Sequence, residues 1–253
     1  MKMLACLIVR DEIDIIEQTV KKWLAGGVNV HVLDDWSTDG TWEALGAFKD
    51  GVALERWPAM PGEKWDFAGQ LRRIEAIALN HPDWWIIPTG SDDLLCSPWP
   101  GVRLVDALWR VRAEGYNFID TAVFNFVPTV DGFCRGMDPE TFFTHGVAHY
   151  GHPVHRIFIQ PRGVSIDIAT TAAHRVTIPS MRVYPTPFIY KHWPLRSQQQ
   201  GERKICERRA RYNPEEIKRG WHTHYGHIDL TKPYNFIAPE SGLFRFSDIY
   251  PGI

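Results

Sequence analysis

The sequence has no CxxC pair: its four cysteines, Cys6, Cys96, Cys134 and Cys206, lie far apart in 253 residues. That spacing argues against a zinc framework or a disulfide scaffold and fits reduced thiols in a cytoplasmic protein. Long apolar runs are missing too. Met3 to Val9, the longest near the start, is seven residues and stops at Arg10-Asp11-Glu12. It is too short to span a bilayer and lacks a signal-peptide cleavage pattern, so no transmembrane segment is expected. No internal repeat or low-complexity tract is visible, which sets aside repeat architectures and disordered tails.

Net charge is nearly absent, at −2, but what there is lies unevenly. Residues 191–219 hold nine Lys and Arg against four Glu, a local +5 that leaves −7 for the remainder. A basic island on an acidic body points to an anionic partner, a phosphate group or a nucleic acid, unless it is a solvated helix face laced with ion pairs. With 44% hydrophobic and 23% charged residues, the chain can bury one large core. Eleven tryptophans exceed what a surface carries; most belong to that core and some can form platforms for a ligand.

Apolar runs and helical spacings alternate through the first 95 residues. Met3–Val9 reads as a strand buried on both faces, and Ile13, Ile16, Val20 and Trp23 mark a helix ended by Gly26-Gly27. Strands follow at 28–33 and 52–57, helices at 41–48 and from Phe67 to Ala78. This is the pattern of βαβ units and a mostly parallel sheet. The stretch Trp84-Trp85-Ile86-Ile87-Pro88-Thr89-Gly90-Ser91-Asp92-Asp93 is a buried strand that stops at two carboxylates. Acidic oxygens just beyond a strand end suit a hard divalent cation and a phosphorylated ligand, although Asp92 and Asp93 also suit a helix cap. Beyond Ser97-Pro98-Trp99-Pro100 the pattern predicts a helix around Leu104 to Val111 and a strand over 117–127. It then predicts a loop from Pro128 to about His152, weaker strands at 154–160 and 181–190, and a charged helix over 198–212. A further helix is expected from Pro214, and an extended segment over 221–253.

Three strand-end segments stand in order: Arg10-Asp11-Glu12, Asp34-Asp35-Trp36-Ser37-Thr38-Asp39-Gly40-Thr41, and Ser91-Asp92-Asp93. Together with Lys191-His192-Trp193-Pro194-Leu195-Arg196-Ser197, Gly201-Glu202-Arg203-Lys204 and Gly220-Trp221-His222-Thr223-His224-Tyr225, they resemble a bacterial branch of the family 2 glycosyltransferases. The resemblance implies an α/β, GT-A-like single domain with a mostly parallel central sheet flanked by helices and a helical and extended C-terminal segment. Residues 1–100 would form the nucleotide-sugar half and 101–253 the acceptor half with its basic helix and tail. The implied reaction is metal-dependent and inverting: a sugar passes from a nucleotide-sugar donor, a UDP-sugar first among them, to a hydroxyl of a saccharide or glycolipid. Two alternatives stay open. The acceptor is a hydroxylated base in DNA, held by the basic island, or the chain is an inactive relative that binds nucleotide sugars.

The resemblance also assigns residues. Arg10, Glu12, Asp34, Asp35, Arg73, Ser91 and Asp93 fall to the nucleotide sugar, carboxylates suiting nucleobase N–H and ribose hydroxyls and an arginine suiting the diphosphate. Asp34, Asp35 and Ser37 also suit a helix cap, and Arg73 a surface helix. Asp92 and His192 fall to Mn²⁺ or Mg²⁺, with Mn²⁺ better suited to imidazole. The family's D-x-D motif is incomplete, because Gly90 replaces its first Asp. Among Asp131, Asp138, Glu140 and Asp167, Asp138 is the candidate general base because Met137-Asp138-Pro139-Glu140 opens a short helix after the long strand. The histidines at 145, 149, 152 and 155 have ligand-like spacing, but Gly146, Gly151 and Pro153 oppose a helical zinc site.

Overall fold

The computed structural model describes residues 2–253 apart from His224 and Leu230, with backbone alone for residues 149–156. Met3–Val9 carries no alternating polar residue and forms strand β1, which is almost wholly buried. Helix α1 (Ile16–Ala25) follows. Gly27, at φ 80°, lets the chain reverse while Val28 N–H donates to the Trp23 carbonyl at 3.0 Å. That turn delivers strand β2 (Asn29–Asp34) parallel to β1. Helix α2 (Thr41–Gly46), strand β3 (Val52–Arg56), helix α3 (Phe67–Leu79) and strand β4 (Trp85–Gly90) continue the alternation.

The strands run β3-β2-β1-β4, all parallel, and the register pairs Val9 with Asp34, Ile8 with Gly90 and Asp34 with Arg56. The loops after β1, β2 and β4 therefore open on one edge, where open α/β sheets bind ligands.

The second half contains strand β5 (Asp93–Cys96), helix α4 (Leu104–Ala113), strand β6 (Phe118–Phe126), helix α5 (Pro139–Phe142), strand β7 (His145–Ile159) and strand β8 (Phe188–His192). Helices α6 (Gln198–Arg211) and α7 (Pro214–Lys218), strand β9 (Phe244–Arg245) and helix α8 (Phe246–Ile249) complete it. The sheet extends from β4 through β7, β6 and β8 to β5, with β9 against β7. The result is a mixed α/β sheet flanked by helices. Parallel pairing is concentrated in the first half; β7 runs antiparallel to both β4 and β6 because no long crossover helix separates it from β6. β8 is parallel to β6 and antiparallel to β5, which places Asn125, His192 and Asp93 side by side on three strands.

Side chains of β1 feed both faces of the sheet. Ala5, Leu7 and Val9 join Trp23, Leu108 and Phe126; Leu4 and Cys6 join Leu71, Ile74 and Ile77 of α3. Burying each such aliphatic side chain contributes about 1.5–3 kcal/mol, so α3 is fixed to the sheet chiefly by that face. Ile205, Ile228 and Phe236 form a small third cluster under α6.

The loop expected from Pro128 to about His152 is replaced in part by α5 and by a strand starting at His145. Gly146, which suggested a loop, is what the strand needs: a Cβ there would stand 2.1 Å from the Asn125 carbonyl oxygen. The strand expected over 181–190 is confined to Phe188–His192, with one bridge at Val183. The extended segment after 221 is irregular apart from β9 and α8. Of the spaced histidines, the side chains of His149, His152 and His155, and His224, lie outside the described residues. No helix among the described residues is long and apolar enough to cross a membrane.

Candidate functional site

The Asp34–Thr41 segment knits two strand-end loops together before it does anything else. Ser37 Oγ accepts from Asp11 N–H at 2.9 Å, Thr41 Oγ1 from Glu12 N–H at 2.9 Å, and Asp39 Oδ2 from Ile13 N–H at 3.1 Å. Asp39 also accepts from Thr41 N–H, and Gly40 supplies the left-handed turn at φ 97°. Ser37, Asp39 and Thr41 are thus occupied in holding the β1 loop at a fixed height beside β2.

Asp34 is fully buried. One of its oxygens accepts from Ser37 N–H at 3.1 Å with Arg56 3.8 Å away, while Oδ1 has no hydrogen-bond partner among the described residues. Burial pushes its carboxyl above the ordinary range, against the pull of Ser37 and Arg56. Asp35 sits at the cleft and receives two hydrogen bonds from Arg211 of α6, at 2.7 and 3.2 Å. Arg10 donates to the Asp35 carbonyl and lies 3.9 Å from its carboxylate. Glu12 is 1% exposed and meets Arg196, Lys204 (3.2 Å) and Arg208 (3.2 Å).

These loops, α3 and α6 border a cleft of about 190 Å³ that is partly open to solvent. Arg10, Asp35, Ser91, Asp92 and Asp93 line its polar side, and Arg208 and Arg211 reach it from α6. Trp65, Phe67, Leu71 and Ile74 make an apolar wall. Trp65 is held rigidly: its indole N–H donates to Gln70 at 2.7 Å, and its ring packs on Phe67 and His222 at 5.0 and 4.6 Å between centroids. Of the residues singled out from the sequence, Arg10, Asp35, Ser91, Asp92 and Asp93 line this cleft. Glu12 stands behind it, and His192 meets Asp92 and Asp93 from β8.

Asp92, Asp93 and His192 offer ligand atoms that all lie within 4.8 Å of one another. His192 Nε2 stands 3.9 Å from Asp92 Oδ2 and 3.9 Å from Asp93 Oδ1. Its other nitrogen, Nδ1, is 2.6 Å from Asn125 Oδ1, so the bond assigns the proton to Nδ1 and leaves the Nε2 lone pair facing the carboxylates. Asp93 Oδ2 accepts from Gly90 N–H at 3.0 Å, which leaves Oδ1 toward His192. A nitrogen and two carboxylates with one nitrogen pre-oriented suit Mn²⁺. Asp92 Oδ2 also accepts from Lys204 Nζ at 2.7 Å. Burial alone would raise the Asp92 carboxyl, but Lys204, His192, Arg196 and Arg208 hold it well below the usual carboxylate range.

Asp34 is buried outside the cleft lining, and Arg73 and Asp138 are spent elsewhere. Arg73 donates to both oxygens of Glu55, at 2.6 and 2.8 Å, and stacks over Trp57 at 5.5 Å, so its guanidinium is spent on the β3 side of α3. Arg10, Arg208 and Arg211 are the arginines that line the cleft instead. Asp138 caps α5 through Glu140 N–H at 3.0 Å and pairs with Lys22 at 3.0 Å. The Asp-Pro-Glu pattern that suggested an acceptor-side acid is the N-terminus of a short helix with Pro at its first position. Glu140 is held by Lys22 and Lys191, Asp131 accepts from Gln198 N–H, and Asp167 caps Thr170; none of them lines the cleft.

The basic island turns inward. Lys191, Arg196, Lys204, Arg208 and Arg211 each pair with a carboxylate of another segment. The nucleic-acid reading loses the exposed basic surface that suggested it. Sequence reasoning had the acids but not their partners: Lys204, Arg208 and Arg211 recur at i, i+4 and i+7, one face of a helix, and that spacing was the available signal.

No protein-family model matches the sequence, and no curated protein matches it. Among solved structures, the chain is similar to S. aureus TarS at 14% identity and a TM-score of 0.42, over 76% of this chain and 37% of that one. It therefore spans about a third of the length of that TarS chain. Against TarS residues 1–349 in complex with UDP-GlcNAc the identity is 13% and the TM-score 0.43, covering 90% of this chain and 73% of that one. Against the same fragment in complex with UDP the values are 14% and 0.42, covering 92% and 74%.

Proposed function

We propose that the chain is a glycosyltransferase that takes a sugar from a nucleotide-sugar donor, a UDP-sugar foremost, and passes it with inversion to a saccharide or glycolipid hydroxyl. What supports this reading above all is the cleft at the ends of β1, β2 and β4, where carboxylates, arginines and an aromatic wall converge. A nucleotide sugar needs all three. Asp35, at the cleft wall, suits the nucleobase N–H or ribose hydroxyls. Arg10, Arg208 and Arg211 suit the diphosphate, which a guanidinium grips bidentately. Trp65 and Phe67 offer a face on which a base or sugar ring can lie.

Asp92 and His192, with Asp93 beside them, are the residues that would hold Mn²⁺ or Mg²⁺. The ion would supply Lewis-acid compensation for charge on the departing nucleoside diphosphate. The protein's own part is to orient: Asn125 fixes the His192 ring, Gly90 N–H fixes Asp93, and Arg208 and Arg211 hold the leaving group after the bond breaks.

The test is a thermal-shift screen of UDP, GDP, dTDP and CMP sugars with and without Mn²⁺. A ligand at about 100 times its dissociation constant stabilises by about 2.7 kcal/mol, roughly 5–10 °C for a chain of this size. A UDP-sugar with Mn²⁺ is expected to give the largest shift, and slow release of UDP without acceptor would exclude an inactive relative. No shift with any nucleotide sugar would sink the proposal.

A further inference from the structure

We propose that Lys204 is a resident counter-cation that closes the Asp92 cation site until a nucleoside diphosphate draws it away, so that metal and diphosphate enter together. This rests on the nucleotide-sugar reading of the cleft. The observation behind it is a shared atom. Asp92 Oδ2 accepts from Lys204 Nζ at 2.7 Å, and the same Oδ2 is the oxygen that faces His192 Nε2 at 3.9 Å. A divalent ion between Asp92 and His192 would take the oxygen that the ammonium already holds. Two positive centres on one carboxylate oxygen repel strongly in a site this poor in water: Lys204 is 7% exposed and Asp92 8%. Arg196, wholly buried and 3.9 Å from the same oxygen, adds to that field.

A diphosphate changes the balance. Lys204, Arg208 and Arg211 lie on one face of α6, and Arg208 and Arg211 line the main cleft. A smaller cavity joins Lys204 to Arg10, Arg208 and Arg211. Four residues of helix rise only about 6 Å, within the swing of a lysine side chain. Phosphate oxygens resting on Arg208 would therefore offer the ammonium, which already lies 3.2 Å from Glu12, a new anionic partner in place of Asp92. Asp92 would then be free to ligate, while Glu12 keeps Arg196 and Arg208 in place. The consequence is order. The protein alone should bind Mn²⁺ weakly, and nucleoside diphosphate should bring the ion with it.

The experiment titrates Mn²⁺ alone, by calorimetry and by the loss of free-ion paramagnetic signal, into the wild-type chain, Lys204→Gln and Lys204→Arg. Lys204→Gln removes the charge and is expected to tighten Mn²⁺ binding at least tenfold; Lys204→Arg keeps the charge and should remain as weak as the wild type. Equal Mn²⁺ affinity in all three would overturn the proposal. Because Lys204 is buried and Lys204→Gln could unfold, a second measurement uses the wild type only. Crystals soaked in Mn²⁺ with UDP should show the ion on Asp92 and the Lys204 ammonium moved to phosphate. An ion on Asp92 with Lys204 still in place would overturn it equally. The titration contains no nucleotide, so a chain that binds no nucleoside diphosphate would defeat the proposed function without altering this result.

Discussion

Gly90 stands where the family resemblance places a carboxylate, and the structure gives a reason for its lack of a side chain. A Cβ there would lie 2.8 Å from Asp92 Oδ1 and 3.2 Å from Asp93 Oδ2. The two following carboxylates have folded back into the space, and the glycine N–H steadies Asp93. Gly90→Ala should therefore act on the site more than on the fold. Overpacking costs about 1–3 kcal/mol, so displacing the two carboxylates should lower Mn²⁺ affinity roughly tenfold while the melting temperature falls by only about 2–10 °C and the chain stays folded. Calorimetric titration checks this, and an unchanged dissociation constant would mean that the carboxylates yield without loss. At this scale the sequence was half legible. Asp92 and Asp93 stood out because two acids ending an apolar run are unusual. Lys204 was visible in the Gly201–Lys204 segment and in its helical spacing with Arg208 and Arg211, but its partner was not, because Asp92 lies 112 positions away.

His192 owes its direction to three neighbouring strands. Asn125 on β6, His192 on β8 and Asp93 on β5 occupy one row of the register, which puts the imidazole between an amide oxygen and a carboxylate. Periodicity located β6 and the start of β8 but not β5, and it had no means of revealing that β5 pairs with β8 rather than with its sequence neighbour β4. The histidine was legible as a ligand candidate and the asparagine was not. Asn125→Ala should leave the sheet intact while freeing the ring to rotate or change tautomer. Losing such an outer partner typically costs about 10–100-fold in metal affinity. Mn²⁺ titration of Asn125→Ala and Asn125→Asp would check this, since the aspartate keeps an acceptor for Nδ1–H and should recover most of the loss. If Asn125→Ala binds Mn²⁺ as the wild type does, the orientation of His192 is set elsewhere. The first part of β7, which the pattern read as loop, shows the opposite failing: Gly146 looked like a loop residue because the clash it avoids belongs to a neighbour not adjacent in sequence.

Over the whole molecule, the acids gather on the first half and their cations on the last segment. Glu12, Asp14, Asp35 and Asp92 face Arg196, Lys204, Arg208 and Arg211, and these pairs clamp α6 over the strand ends. Composition showed the separation of charge as a basic island on an acidic body, but only the fold shows that the two neutralise each other. The clamp predicts how α6 responds to acid. Burial opposes ionisation of Asp14 and Asp92, yet Arg196 and Lys204, with their neighbours, win and hold both carboxyls below their ordinary 3.8 in the folded chain. The unfolded chain therefore takes up protons first as pH falls. The stabilisation from these two groups is fully present above about pH 5 and is lost only as pH falls through the depressed folded values. Helix α6 should consequently stay docked at pH 4.5 and come free well below pH 4. Amide hydrogen exchange of residues 198–211 from pH 6 to pH 3, corrected for its intrinsic pH dependence, provides the measurement. Moderate salt should not shift the onset, because buried pairs are screened far less than surface ones. Loss of protection in α6 that begins between about pH 6 and pH 5 would contradict the depressed carboxyls and with them the clamp.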